Sequence, residues 1–533
     1  MREPARPSEK PEAFTRSEII ESVEHVPMAQ PEKHLSAIRA ILDLTNVRHA
    51  RDIGTNGPSI AASANPEMIG QSLYNEFYPR DAHVVARFLA DKHPALTKAT
   101  IISAATYTGI RQHLRADGPQ DEQELGKVPH EIRASDNPNE QRLSAEKDRA
   151  YPYYGAVDTT SKNILAIART AEASPQFLTE TYTALDGETH TIEDALRAHT
   201  NWLRGRMDLN PEGLLESLWI NKKHHANQSW ADSPDAFHHA DGSWARHHPE
   251  RNWGVASLEV QAETYDALLA ASETYQRLEV AASGQRAAFL HQERTELATR
   301  ATKLRDSVLT HFWVEPGQYE HGYLGRGTDR DEQGRLFPLA IRTSDMGNVL
   351  ASRLLDGDEP DIAAKREAVI RTLFSPEMLA PNGLRTLASD SLRYREDAYH
   401  NGSSWPWTSY LTAIGLDKHG YHGLANDLKH RVWSFYDTTK TLAEYGTGSA
   451  DPGKRINADT QITVFDPSLY PEPIYHFSRH KIAQPPQEVQ AWTAAAILAI
   501  KYEHGTRTFH PERALPCIAT DPAKRQLEQE LLE

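Results

Sequence analysis

The chain of 533 residues contains a single cysteine, Cys517. No intramolecular disulfide can form, no cysteine-based metal site can assemble, and a lone thiol near the C-terminus argues against a catalytic one. No apolar run approaches the length of a membrane span. The N-terminal stretch MREPARPSEKPEAF is polar and lacks an apolar h-region. No secretory signal is visible, so the expected location is the cytoplasm. Basic residues are outnumbered, 58 Lys and Arg against 74 Asp and Glu, for a net charge of −16. That balance disfavours nucleic acid and anionic membranes, which need clustered cations.

What is present is an ordinary soluble composition, with 39% hydrophobic and 25% charged residues, in a chain long enough to bury a large core. Residues 1–30 read as a polar arm, 31–505 as one catalytic unit and 506–533 as a tail. The dominant period is helical. KHLSAIRAILDL repeats Leu35, Ile38, Ile41 and Leu42 on one face. The segment 81–114 reads as two helices split near Pro94, and 161–171, 192–205, 255–278, 286–313, 343–355 and 488–502 carry the same pattern. A hairpin is expected over 318–340, with DEQG near its turn. Long loops rich in Gly, Pro, Trp and Tyr separate these segments at 120–160, 221–254, 380–407 and 444–488. Loops of that length inside a compact chain usually carry function. The expected fold class is therefore all-α, with about a dozen helices closing as a double-layered barrel and the loops gathered at one end.

Five loop or loop-edge clusters hold chemistry-bearing residues. FYPRDAHVV offers Tyr78, Arg80 and Asp81. Asp81 reads either as a helix N-cap with Pro79 just outside the helix, or as an acceptor for sugar hydroxyls oriented by Arg80. The stretch 216–242 brings Trp219, Asn227, Gln228, Trp230 and Asp232 into one loop. Two indoles beside a carboxyl would raise its pKa, as a general acid needs, while the plainer reading makes Asp232 the cap of a helix beginning SPDAF. His224, His225, His238 and His239 in this loop have poor zinc-ligand spacing, and DRDEQG at 329–334 lacks the closing Glu of a calcium loop, so no metal is expected. No organic cofactor is expected either.

The segment 385–407 interleaves Arg385, Arg393, Asp397, Tyr399, His400 and Asn401 with Trp405 and Trp407. Polar groups in that density are costly to bury without partners, so an aromatic core alone does not explain them. TLAEYGTG places Glu444 before a glycine turn, and Gln490 and Trp492 open the Ala-rich helix that follows PPQEV. Hydrolysis with inversion uses two carboxyl groups, one on the leaving oxygen and one on a water. Asp232 and Glu444 come from different loops and could flank one sugar.

The ordered set YPRDA, GKVPHEIR, YYGAVDTTSKNI (with Tyr154), NQSWADSPDA, PLAIRTSDMGNVL, RYREDAYHNGSSWPW, LAEYGTG and QAWTAAA resembles the (α/α)6-barrel inverting α-glycosidases. Those include glucoamylases, the glucosidase domain of glycogen debranching enzymes, and mannosyl-oligosaccharide glucosidase and mannosylglycerate hydrolase relatives. The resemblance spans roughly residues 70–500. It implies Asp232 as general acid, Glu444 as base and Asp81 as a ligand of the terminal sugar, with a small carbohydrate as partner. Trp405 would present a face to that sugar, and Arg393, Asp397, Tyr399 and His400 would hold its hydroxyls. Independently of the resemblance, the length and polarity of 120–150 suggest a lid or rim loop that would screen out long polymers. The implied activity is an exo-acting α-glucosidase of the amylo-α-1,6-glucosidase kind. A sugar epimerase or isomerase on the same barrel, and a carbohydrate-binding protein without turnover, remain the alternatives.

Overall fold

In the computed structural model, the described residues are 60, 62–63, 76–111, 122–133, 149–221, 224–248, 251–439, 441–451, 454, 462–465, 482–484, 486–487, 489–504, 519 and 521–532. The expected arm, the helix over 33–44 and most of the expected lid lie outside them. Twelve α-helices occur among the described residues: α1 Pro79–Leu89, α2 Pro94–Thr106, α3 Asp158–Ala173, α4 Ile192–Met207, α5 Leu258–Val280, α6 Gly284–His311, α7 Met346–Ala351, α8 Pro360–Leu373, α9 Pro406–Lys418, α10 His422–Thr439, α11 Ala491–His504 and α12 Pro522–Leu532.

The odd-numbered helices close a ring. Each of α1, α3, α5, α7, α9 and α11 packs on the next, and α11 returns to α1. The even-numbered helices form the outer layer: α2 lies on α1 and α3, α4 on α3, α6 on α5, α8 on α7, and α10 on α9 and α11. This is the expected all-α double-layered barrel. Inner helices α9 and α11 are apolar almost all round, as helices buried on both sides tend to be, whereas α1, α3 and α5 bury charged and polar residues at their starts. In α9, Trp407, Tyr410, Leu411, Ala413 and Leu416 are all buried, as are Trp492, Ala494, Ala495 and Ile497 of α11. The outer helices keep one polar face.

Local chemistry sets the helix starts. Pro occupies the first turn of α1, α2, α8 and α9, where its missing N–H costs nothing. Thr191 and Asp194 close a capping box on α4, each side chain bonding the other's backbone. Strands are short. The expected hairpin forms as Tyr323–Leu324, Gly327–Arg330 and Leu336–Pro338, and the last two pair across the turn at Asp331–Gly334. The Asp331 carboxylate accepts the Gln333 and Arg335 amides, so DRDEQG is the plain turn.

Three expectations change. Asp81 is not an N-cap: α1 begins at Pro79, and Asp81 lies in its first turn. No helix follows SPDAF, so Asp232 caps nothing. The tail 506–533 includes α12, which docks on α10 with the Glu528 carboxylate accepting the Gly423 and Ala519 amides.

Candidate active site

All six inner helices start at the same end of the barrel, and each start carries a polar or aromatic side chain of one cluster. These are Arg80 and Asp81 in α1, Asp158 in α3, Glu259 in α5, Asp345 before α7, Trp405 before α9 and Gln490 before α11. Six helix N-termini place positive partial charge there, which favours carboxylates.

Two loops are zipped together to present Tyr399 and Glu444. Ser404 and Gly446 exchange backbone hydrogen bonds of 2.9 and 2.7 Å, and the Gly448 amide donates to Glu396 O at 2.8 Å. The approach is so close that a Cβ on Gly448 would lie 1.8 Å from Gly402 O, and one on Gly402 would lie 1.9 Å from Arg395 O. That is the physical need for the glycines of HNG and GTG. Arg385 fastens the same loops, donating to Gly448 O at 2.6 Å and to Pro376 O and Leu379 O.

Glu444 is 2% exposed. Its Oε1 accepts the Tyr399 hydroxyl at 2.6 Å and its Oε2 the Gln487 amide at 3.3 Å. Burial pushes its pKa up to about 7, against the lowering effect of those two donors, and the charge on Asp232 adds to the rise. Asp232 is the opposite case. Burial would raise its carboxyl, but His130, at 3.6 Å, and the Arg80 guanidinium, at 3.1 Å, hold it well below the ordinary carboxylate range. The expected elevation by Trp219 and Trp230 is therefore corrected. Trp219 turns its N–H to His224 O, and Trp230 donates to Asp345 at 2.8 Å; neither outweighs a guanidinium in contact.

Asp81 completes a trio of acids. Burial raises its pKa to about 8, Arg80 opposes that, and Glu444 and Asp232 add to it. Gln490 donates to its Oδ1 at 3.0 Å. Arg80 is oriented less by Asp81 than by Asp158, which it grips with two bonds of 2.6 and 3.1 Å. Behind Asp158 the Lys162 ammonium reaches Asp158 at 3.2 Å, Glu259 at 2.9 Å and Glu263. Those three acids have the spacing of a cation site, and the ammonium occupies its centre. A second ligand-like group is His130, His225 and Asp232, with donor atoms within 4.8 Å of one another. Arg80 already holds the carboxylate of that group, so the donor set favours an ion pair over a metal.

His400 is neutral, pushed down to about 3 by burial, and its Nδ1 accepts from Ser233. It bridges the 393–407 segment to the Asp232 loop. Arg326, fully buried, donates to His400 O and Asn401 Oδ1 and lies 3.4 Å from Asp345.

The remaining expected ligands divide by place. Tyr78 accepts from Arg133 and stands edge-on to His130, next to the acid. Asp397 and Arg393 lie half-buried farther out, with Arg393 tied to Gly242 O. Trp405 is corrected: it is 1% exposed, stacked on His400 at 5.5 Å, and its N–H is satisfied by Tyr399 O and Ser403, so it lies under the site. Trp492 stacks on Trp407 in the same buried layer. Tyr154, Asn227, Gln228, Asn401 and Arg385 spend their polar atoms on neighbouring protein groups and act as scaffold. Sequence reasoning missed Asp158, His130, Gln487 and Arg326. The signals were the Asp158–Lys162 spacing at a helix start and a lone His in GKVPHEIR.

Comparison with known proteins places this arrangement. Residues 120–454 match the Mannosylglycerate hydrolase MGH1-like glycoside hydrolase domain. No curated protein matches the chain in sequence. Among solved structures, the fold is similar to GH63 mannosylglycerate hydrolase from Thermus thermophilus in complex with Tris and D-glycerate, with a TM-score of 0.52 and 12% identity over 88% of this chain and 99% of that one. The complex of that enzyme with glucose aligns over the same shares at a TM-score of 0.50 and 14% identity. At such identities the likeness is one of fold.

Proposed function

This chain belongs to the mannosylglycerate hydrolase MGH1-like glycoside hydrolase family, and on that premise we propose that it is an exo-acting, inverting α-glycosidase. Its substrate is a small glycoside carrying a terminal α-linked hexose of gluco or manno configuration. Hexosylglycerates are the first compounds to try, because a mannosylglycerate hydrolase shares the fold. The observation that carries the reading is the pairing of Asp232 and Glu444. They come from separate loops, meet at one end of the barrel, sense each other's charge, and are supported by different partners.

Asp232 protonates the leaving oxygen, and Glu444 takes a proton from the attacking water. Asp81 and Gln490 bind sugar hydroxyls, and Arg80 orients the acid. In the free site the pair holds one proton over a wide pH range, and it resides on Glu444. Coupled groups titrate as a pair, so catalysis uses the tautomer with that proton on Asp232. Substrate entering beside Asp232 expels water and places an acceptor oxygen where the proton is needed.

Hydrolysis of a panel of α-glucosides and α-mannosides tests the reading. Asp232→Asn and Glu444→Gln should each lose turnover while keeping the fold. An aryl glycoside with a good leaving group should restore turnover to Asp232→Asn and not to Glu444→Gln. NMR of the first-formed sugar should show the β-anomer; the α-anomer overturns inversion. Interconversion of free sugars without hydrolysis would favour an epimerase.

A further inference from the structure

A cavity of about 290 Å³ lies inside the barrel beyond the catalytic end, between the C-terminal halves of α1, α3 and α5. The catalytic groups sit at the helix starts, so the two spaces are separated along the axis by a layer containing His83, Lys162 and Trp407. The volume equals about ten water molecules at ~30 Å³ each, room for one small organic guest, whose bonded atoms pack more closely than separate waters.

The wall nearest this layer is unfinished in hydrogen-bonding terms. His83 is 4% exposed, and neither ring nitrogen has a partner. Trp407 is 1% exposed, and its indole N–H is equally unmet. Buried polar groups of this kind are rare and call for a ligand or water. Most charges around the cavity are already paired: Arg353 with Glu273 at 2.5 Å, Lys162 with Glu263, and Arg169 with Asp91 at 2.7 Å. Arg87 and the exposed Glu172 are the exceptions; Arg87 matters more here because it is the more buried of the two. It lines the cavity and makes no hydrogen bond or ion pair with the described residues. Burial draws its pKa below the ordinary range, and the charges of Glu263 and Asp266 only partly offset that.

Against one exposed carboxylate, Glu172, the other unmet groups are mostly donors: one guanidinium, one indole N–H and one imidazole that can give or take a hydrogen bond. A guest that answers them carries a carboxylate for the planar guanidinium and hydroxyls for the two rings. We propose that this cavity is a second ligand site, for a small polyhydroxylated monocarboxylate of the sugar-acid type. The site is assigned from the cavity's own groups and stands apart from the catalytic reading.

Gluconate is the probe, with glucose as the uncharged control, measured by calorimetry on the full chain. Gluconate should bind saturably and glucose should not compete for the same site. Arg87→Ala should weaken gluconate about tenfold or more, as loss of a charge-assisted pair implies. His83→Leu should weaken it too. Both variants should keep glycoside hydrolysis, which reports intact folding, and Asp81→Ala should lose hydrolysis but keep gluconate binding. No saturable binding by the wild type overturns the proposal. So does binding that survives Arg87→Ala and disappears in Asp81→Ala, which would place gluconate in the catalytic pocket.

Discussion

Replacing Tyr399 by Phe removes one hydroxyl and one hydrogen bond, the 2.6 Å contact to Glu444 Oε1. The phenol donor stabilises the charged carboxylate, so its loss raises the Glu444 pKa from about 7. A hydrogen bond to a charged group contributes about 1.5–3 kcal/mol. At about 1.4 kcal/mol per tenfold, the rise is about one to two pH units. On the proposed mechanism the one-proton form of the Asp232–Glu444 pair is the active one, and it is lost when Glu444 ionises. The wild-type profile of kcat/KM should therefore fall above about pH 7. In Tyr399→Phe that alkaline limb should move up by about one to two pH units. The plateau should drop about ten- to a hundredfold, because Glu444 now holds the shared proton more tightly and Asp232 carries it less often. Asp81 titrates nearby, at about 8, under burial, Arg80 and its acidic neighbours, whereas the Tyr399 hydroxyl donates to Glu444, so the variant acts first on Glu444. The assay is steady-state hydrolysis of an activated α-glycoside from pH 4 to 10. An alkaline limb that stays in place or moves down refutes the reasoning, as does an acid limb at about 7 in the wild type.

Glu444→Gln should be more stable than the wild type at pH 8 by at most about 3 kcal/mol. The folded carboxyl titrates near 7 against an ordinary 4.5, so the wild type carries no penalty well below 4.5, a growing one up to about 7 and a constant one above; denaturant melts should show a small gap at pH 5 and nearly the full gap at pH 8. Arg80→Ala leaves Asp158 buried without its main partner and should cost about 3–5 kcal/mol by urea unfolding, beyond its effect on turnover. Gly402→Ala forces a Cβ to within 1.9 Å of Arg395 O and should lower stability by about 1–3 kcal/mol and depress kcat by shifting Tyr399 and Glu444.

Much of the barrel was legible because helical period survives in long helices buried on one side or both. Segments such as 192–205 and 255–278 carry it plainly, and Pro at a helix start marks α2. The short α7 was harder: residues 343–355 read as one helix but divide into Met346–Ala351 and a 3-10 turn at Arg353–Leu355. The Asp232 loop misled in another way. SPDAF has a helix-start composition, yet Ser233 bonds Asp235 and His400 instead, and a contact far along the chain outcompetes a local preference.

By itself the sequence pointed to the groups on which the proposed chemistry rests: two acids in separate loops, glycines where backbones must touch, and a helical period that leaves the loops at helix ends. Only the tertiary structure decided the state of those acids. Arg80 and His130 reach Asp232 from positions 152 and 102 residues earlier in the chain, and Tyr399 reaches Glu444 across 45. A carboxyl's proton affinity is a sum over the charges and donors around it in space, and neighbours along the chain supply few of them.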